Sequence, residues 1–341
     1  MKASWKRGLS LAAAALIPLA VLPALITFAG GLRQVRAEIA GITPGWLAVA
    51  LAAGAALQAI RALRFRELLG QRIGLERLFP VVCVHYFANR VLPLRTGEIS
   101  FVLLAKRYGQ VSLGRSAFSL AVVRLLDFTV LCLVYVICSA LMILVGGMAA
   151  YRPLLVPMTA AALIAVPVAL ALRYPAALLR MLDWPRPVLR GCVARWWDRL
   201  TAALSEPARD LQSITWMTRL RLFLYSMAVW SLMFGTSYSI LRALQIRYSV
   251  VTLVVGSMFA HMGTILPVSG WGNFGSMELL WTAGYALVGV NQAEAVAGGF
   301  GVNVFTFVIT LVLGAAAMVY LKLTDPPRKS LEELEDRKKC Q

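Results

Sequence analysis

HYFANRVLPLRTGE, residues 85–98, is the stretch that decides the fold. It carries His85, Arg90, Arg95 and Glu98, and it is broken by Pro93 and Gly97. It holds no long apolar run, although the chain on both sides is strongly hydrophobic. At membrane depth such a charged, interrupted segment is tolerated only where it is buried in protein or lines a water-filled cavity. A second stretch, HMGTILPVSGWGNFGSME at residues 261–278, has the same plan. Each begins with one of the chain's two histidines, passes through Leu-Pro (Leu92-Pro93, Leu266-Pro267) into glycine, and ends in glutamate. The pair predicts a scaffold that holds two broken segments face to face.

The composition around them gives the class. Of 341 residues, 60% are hydrophobic and 15% charged. Several apolar runs reach the ~20 residues needed to cross a bilayer. The fold class expected is all-α: a polytopic membrane helix bundle over residues 1–323, with two broken or re-entrant helical hairpins. A polar cytoplasmic tail follows at 324–341. The formal net charge of +18 would suggest nucleic acid in a soluble chain. Here the Arg and Lys fall between apolar runs. They read as positive-inside topology and attraction to anionic headgroups, so nucleic acid is not an expected partner. The five cysteines form no CxxC pair, and Cys132 and Cys138 lie inside an apolar run. Neither a disulfide framework nor a metal centre is expected.

Taken in order, Lys2, Lys6 and Arg7 place the N-terminus in the cytoplasm. The apolar run Leu9–Ala29 is longer than the ~7–15 residues of a signal-peptide core, so it reads as a retained helix. A short polar connector, Arg33–Ile42, precedes a second span from Trp46 to about Ile60. Arg61, Arg64, Arg66, Arg72 and Arg77 read as a basic cytoplasmic loop. Leu78–Ala88 and Ile99–Ala105 are each too short to span. They predict a hairpin entering from the cytoplasm, turning at Pro93–Gly97, and returning to Lys106, Arg107 and Arg115. Ser116–Gly146 and Tyr151–Leu172 are the next spans. Arg173–Arg221 is a long polar loop with nine arginines against four acids. Within it, Arg190–Leu204 is either a basic amphipathic helix on the inner leaflet or ordinary loop. Leu222–Leu241 and Gly298–Leu321 complete the spans, and Leu331–Lys338 in the tail could form a short helix. Ser249–Ala297 reads in two ways. It is a hairpin entering from outside followed by a short helix, or two full spans joined by a glycine-rich loop. The first makes the two broken segments an inverted pair, an arrangement that places a site at the bilayer midplane.

Buried unpaired charges are costly in a membrane, so Arg90, Arg95 and Glu98 are either paired or facing water. A guanidinium fork matches phosphate, which makes Arg90 and Arg95 candidates to hold an anionic lipid headgroup, with Glu98 either holding them in place or meeting a cationic group on the substrate. An internal ion-pair network is the structural alternative. Arg124 and Asp127 share a helix face at i, i+3. They pair locally, or one of them reaches the Arg95–Glu98 hairpin. Gly270, Gly272 and Gly275, with Asn273 among them, spell GxGxxG. No βαβ context surrounds this, so it is not a dinucleotide fingerprint. Its exposed amides could cradle an anion, or its glycines could simply let helices pack closely. Glu278 falls where a helix N-terminus favours a carboxylate. His85 and His261 are supporting residues, either proton-carrying or hydrogen-bonded in place. Their spacing with Glu98 and Glu278 matches no standard metal motif.

These segments resemble the lysylphosphatidylglycerol synthase transmembrane-domain family, described as flippase-like membrane proteins. The resemblance rests on Asn89–Glu98 (NRVLPLRTGE), on Arg124-Leu-Leu-Asp127, and on Leu266–Glu278 (LPVSGWGNFGSME), in that order. It implies a membrane module that binds a lipid and moves its headgroup between leaflets. In full-length synthases a soluble aminoacyl-transferase domain follows such a module. This chain carries the module in stand-alone form, so transferase chemistry is not expected. The implied lipids are anionic phospholipids, polyprenyl-linked sugars or hopanoid-type lipids.

The function expected is therefore lipid binding or transport in a bacterial inner membrane, with both termini cytoplasmic and no cofactor. The headgroup residues expected are Asn89, Arg90, Arg95, Glu98, Gly270, Asn273 and Glu278, supported by His85, Arg124, Asp127 and His261. No GxxxxGK[ST] loop occurs, so ATP is not the expected energy source. Two rival readings remain at this level. One is an intramembrane lipid-modifying transferase, for which no activated nucleophile is visible. The other is a non-catalytic partner of an envelope-synthesis complex acting through the Arg173–Arg221 loop. A homodimer is compatible with any of the three.

Overall fold

The computed structural model describes residues 41–70, 73–92, 97–173, 197–198, 201–202, 215–264 and 273–324. The expected first helix at Leu9–Ala29, most of the Arg33–Ile42 connector, most of the Arg190–Leu204 segment and the Leu331–Lys338 stretch lie outside them. The described chain is helical. Its helices are α1 (Pro44–Leu68), α2 (Leu75–Val91), α3 (Glu98–Gly109), α4 (Leu113–Gly146), α5 (Leu155–Arg173), α6 (Trp216–Ala243), α7 (Val250–Gly263), α8 (Ser276–Leu287) and α9 (Gln292–Leu323). A 3-10 turn, Arg152–Leu154, leads into α5.

Local chemistry sets the boundaries. Pro44 opens α1, where its missing N–H costs nothing. Ser112, Thr215, Ser249 and Asn291 cap α4, α6, α7 and α9, each side chain accepting a backbone N–H from the first turn. Gly147 ends α4 at φ 87°, a conformation open to glycine. Among the described residues, four segments are long and apolar enough to cross a membrane: α1, α4, the turn-plus-α5 unit over Arg152–Leu170, and α9. α6, at 28 residues, has the length but is more polar, with Ser226, Thr236, Ser237 and Ser239 buried along it.

α2 and α3, and likewise α7 and α8, form the two broken pairs. Their 17, 12, 14 and 12 residues give lengths of roughly 26, 18, 21 and 18 Å, all below the ~30 Å hydrocarbon core. Between Ser249 and Ala297 the chain makes two short helices and then starts α9 at Gln292. Among the described residues of that segment, neither helix before α9 reaches spanning length. α1 runs antiparallel to α6, its first residues tied to α6's end: Thr43 N–H donates to the Ala243 carbonyl (3.1 Å) and Gln245 Nε2 to the Gly41 carbonyl (2.8 Å). One core cluster centres on Tyr135, Trp230, Leu253, Trp281 and Tyr285, a second on Phe65, Leu78, Phe101 and Val123.

Two boundary expectations are corrected. α1 does not stop near Ile60 but continues to Leu68. Arg61 and Arg64 are thus buried helix residues rather than part of a cytoplasmic loop. Arg64 survives burial because a carboxylate meets it, as described below. Trp216–Arg221, read as the end of the polar loop, forms the first turns of α6, because the Thr215 cap starts the helix early.

Within the second broken pair, helices approach through glycine. A Cβ added at Gly284 would lie 2.0 Å from the Gly256 carbonyl oxygen, a backbone atom that cannot step aside. Gly284→Val should therefore pry α7 from α8 and cost about 1–3 kcal/mol of stability. The unfolding midpoint in detergent measures this; an unchanged midpoint would show that the contact is loose.

Candidate functional site

Asn89 and Arg90 end α2, and neighbouring residues on a helix point about 100° apart. Asn89 turns toward its own pair. Its Nδ2 donates to Glu98 Oε1 (3.2 Å) and lies 3.3 Å from His85 Nε2, one helical turn back. His85 Nδ1 lies 3.3 Å from the Gly97 carbonyl. A ring protonated on Nδ1 satisfies both contacts, donating to Gly97 and accepting from Asn89. Gly97 is required where α3 begins, since a Cβ there would fall 2.4 Å from the Asn89 backbone nitrogen. Glu98 Oε1 also accepts from Arg124 Nη2 of α4 (2.5 Å).

Arg90 turns the other way, to the second pair. Its Nη2 donates to the side-chain and backbone oxygens of Asn303 on α9 (2.6 and 3.1 Å). Asn303 Nδ2 in turn donates to Glu278 Oε1 (2.8 Å). The other Glu278 oxygen accepts the Gly275 N–H (2.7 Å) and caps α8. Gly275 sits at φ 81°, a backbone region glycine favours. One asparagine thus links the arginine of the first broken pair to the glutamate of the second.

A third group reinforces the same centre. Arg64 of α1 is fully buried and donates both guanidinium nitrogens to Asp127 of α4 (2.5 and 3.1 Å), with Ser226 of α6 at 3.0 Å. Arg61, one turn earlier, has no carboxylate within 4 Å among the described residues. Its guanidinium lies 3.7 Å over the Tyr86 ring and donates to Gln58 Oε1 and the Met233 sulfur, both at 3.4 Å. His261 of α7 is 3% exposed, and neither ring nitrogen has a hydrogen-bond partner among the described residues. The rings of Trp230 and Phe234 stand edge-on to it at 5.6 and 5.1 Å.

These groups surround one cavity of about 130 Å³, walled by α1, α2, α4, α6, α7, α9 and the start of α8. Of the residues expected from sequence, Asn89, Arg90, Arg124, Asp127, His261 and Asn273 line it. Glu98, Glu278 and His85 are not in its wall; Glu98 and His85 hold Asn89, Glu98 also holds Arg124, and Glu278 holds Asn303. Arg95 and Gly270 lie outside the described residues. Asp127 does not reach the Glu98 hairpin, because the Arg64 fork claims both its oxygens. Arg124 does reach it, and no local Arg124–Asp127 pair forms among the described residues. Glu98 is bonded by Arg124 and Asn89 rather than by Arg90.

Sequence reading missed Gln58, Arg61, Arg64, Tyr86 and Asn303. A signal existed for most of them. Gln58, Arg61 and Arg64 recur every third residue on α1, and Asn303, Thr306 and Thr310 follow one face of α9.

Comparison with known proteins agrees with the membrane architecture. The family described as "Lysylphosphatidylglycerol synthase TM region" matches residues 10–314. Comparisons with curated proteins and with solved structures each returned no match.

Proposed function

The chain belongs to the lysylphosphatidylglycerol synthase TM-region family, and from that premise we propose that it carries lipid headgroups across the membrane. It is a multi-pass helical membrane protein of a lipid-related family. In the proposed mechanism the headgroup enters the central cavity while the acyl tails stay in the bilayer. The observation that carries this is the convergence of both broken pairs on one buried, charged cavity. Charged side chains at this depth are costly, and a polar ligand gives them a use.

The short helices α2–α3 and α7–α8 would be re-entrant, entering from opposite faces as an inverted pair around a midplane site. The excess of arginine in the sequence loops supports cytoplasmic termini in a bacterial inner membrane. Transport is proposed without covalent chemistry on the lipid, driven by the lipid gradient, an ion, or a partner.

Fluorescent lipids in proteoliposomes test this. Wild-type protein should expose inner-leaflet label to an external quencher faster than empty vesicles do. Thr306→Phe, which places a ring in the cavity wall, should return the rate to that of empty vesicles. Exchange that ignores the filled cavity would remove the cavity from the pathway, and no protein-dependent exchange would sink the transport reading.

A further inference from the structure

We infer that Asn303 is a spacer that holds Arg90 and Glu278 one amide apart, and that their direct pairing is a second state of the protein. The use of that state in a transport cycle rests on the transport reading above; the pairing itself does not.

Arg90 and Glu278 are opposite charges on different broken pairs. Among the described residues, the direct hydrogen-bond partners of both are neutral. Arg90 donates to the side-chain and backbone oxygens of Asn303 (2.6 and 3.1 Å). Glu278 accepts from Asn303 Nδ2 (2.8 Å) and from the Gly275 N–H (2.7 Å). One fully buried amide therefore stands between a guanidinium and a carboxylate, its oxygen turned to the first and its nitrogen to the second. Glu278 is also within electrostatic reach of Arg90. Shielded from bulk water, such charges attract across the width of an amide, and contact strengthens the attraction. A guanidinium fork and a carboxylate match in geometry as well. The amide-bridged arrangement and the contact pair are thus two discrete arrangements of the same three side chains.

The surroundings allow the exchange. Glu278 keeps its Gly275 bond through Oε2 while Oε1 changes partner. Arg90 sits in the last turn of α2. α8 begins just after Gly275, which has φ 81° and where an added Cβ would meet no atom within 4 Å, so this end of α8 has room. Arg90 lines the cavity, whereas Asn303 and Glu278 stand behind its wall. Contact with Glu278 withdraws the guanidinium from the wall and draws the end of α2 toward the start of α8. The cavity and the spacing of the two broken pairs then change in one step, as a gate between access states requires. By bonding both charges, the asparagine offsets the attraction that closes the gap. A small free-energy difference between two states is what a switch needs.

A double-mutant cycle of Arg90→Gln with Glu278→Gln tests the pairing, read by denaturant unfolding of the full chain in detergent. It is run once with Asn303 in place and once with Asn303→Ala. Removing a spacer lets the charges meet, so the coupling between positions 90 and 278 should rise about tenfold in the unfolding equilibrium. Removing a mere link disconnects them, and the coupling falls. Unchanged or smaller coupling overturns the inference. Asn303→Ser, too short to bond both partners, takes the place of alanine if that variant does not fold. Lipid exchange in proteoliposomes reads the use of the second state. Asn303→Ala should slow exchange about tenfold by favouring the paired state. Adding Glu278→Gln should restore it, since a neutral amide forms no ion pair, whereas a broken structural link is not mended by a second substitution beside it. A double variant no faster than Asn303→Ala overturns the switch. Absence of exchange by wild type overturns the transport reading instead, and the unfolding cycle still decides the pairing.

Discussion

Asp127→Ala is expected to cost about 3–5 kcal/mol of stability, the range for removing one partner of a buried ion pair. The loss is large because Arg64 is fully buried and Asp127 nearly so, at 0% and 6% side-chain exposure. Among the described residues, the substitution leaves the buried guanidinium with Ser226 as its remaining hydrogen-bond partner. The pair also joins three helices, α1, α4 and α6, so its loss loosens the wall of the cavity as well as the core. Denaturant unfolding in detergent micelles reads the effect directly. The double variant Arg64→Met with Asp127→Leu should recover much of the loss, because an apolar pair of similar volume carries no desolvation cost. A single variant as stable as wild type would show that water reaches the pair.

Glu98→Ala is expected to slow lipid exchange about 10–100-fold, as for loss of a hydrogen-bonded charge worth roughly 1.5–3 kcal/mol. Glu98 sits just behind the cavity wall and holds two residues that line it, Asn89 and Arg124. Without it Arg124 keeps its charge but loses its anchor, and the N-terminus of α3 loses its acidic residue. Glu98→Gln keeps an acceptor for both donors and should fall between alanine and wild type. Vesicle exchange assays on variants that retain wild-type elution and unfolding midpoints separate transport from folding. Normal exchange by Glu98→Ala would mean that Asn89 and Arg124 do not need to be held.

Much of this architecture is legible in the chain. Pro93 and Gly97, and the glycines before Ser276, interrupt apolar sequence at places where charge is also present. Interruption plus charge in a membrane protein has few physical solutions. The approach of Arg124 to Glu98 is foreseeable for the same reason, since a charge inside an apolar helix must find a partner. Arg61 and Arg64 are harder. A run of arginines after an apolar stretch reads as a loop by the charge rule, and only the three-residue spacing from Gln58 betrays a helix face. Asp127 is open to two partners in sequence terms, Arg124 and the Glu98 hairpin, and takes neither, because three-dimensional proximity brings it the distant Arg64. Asn303 is a single amide in a long apolar helix. Its role as the link between Arg90 and Glu278 depends on three helices meeting, which spacing along one helix does not encode.

The central claim is that a lipid headgroup occupies the cavity between the two broken pairs. Photocrosslinking with a phospholipid carrying a diazirine on its headgroup, followed by peptide mapping, tests it most directly. The account predicts adducts on cavity residues such as Tyr86, Thr236 and Thr306, reduced in Glu98→Ala. Adducts confined to exposed apolar positions such as Leu144, Val156 and Leu163, unchanged by the substitution, would contradict it.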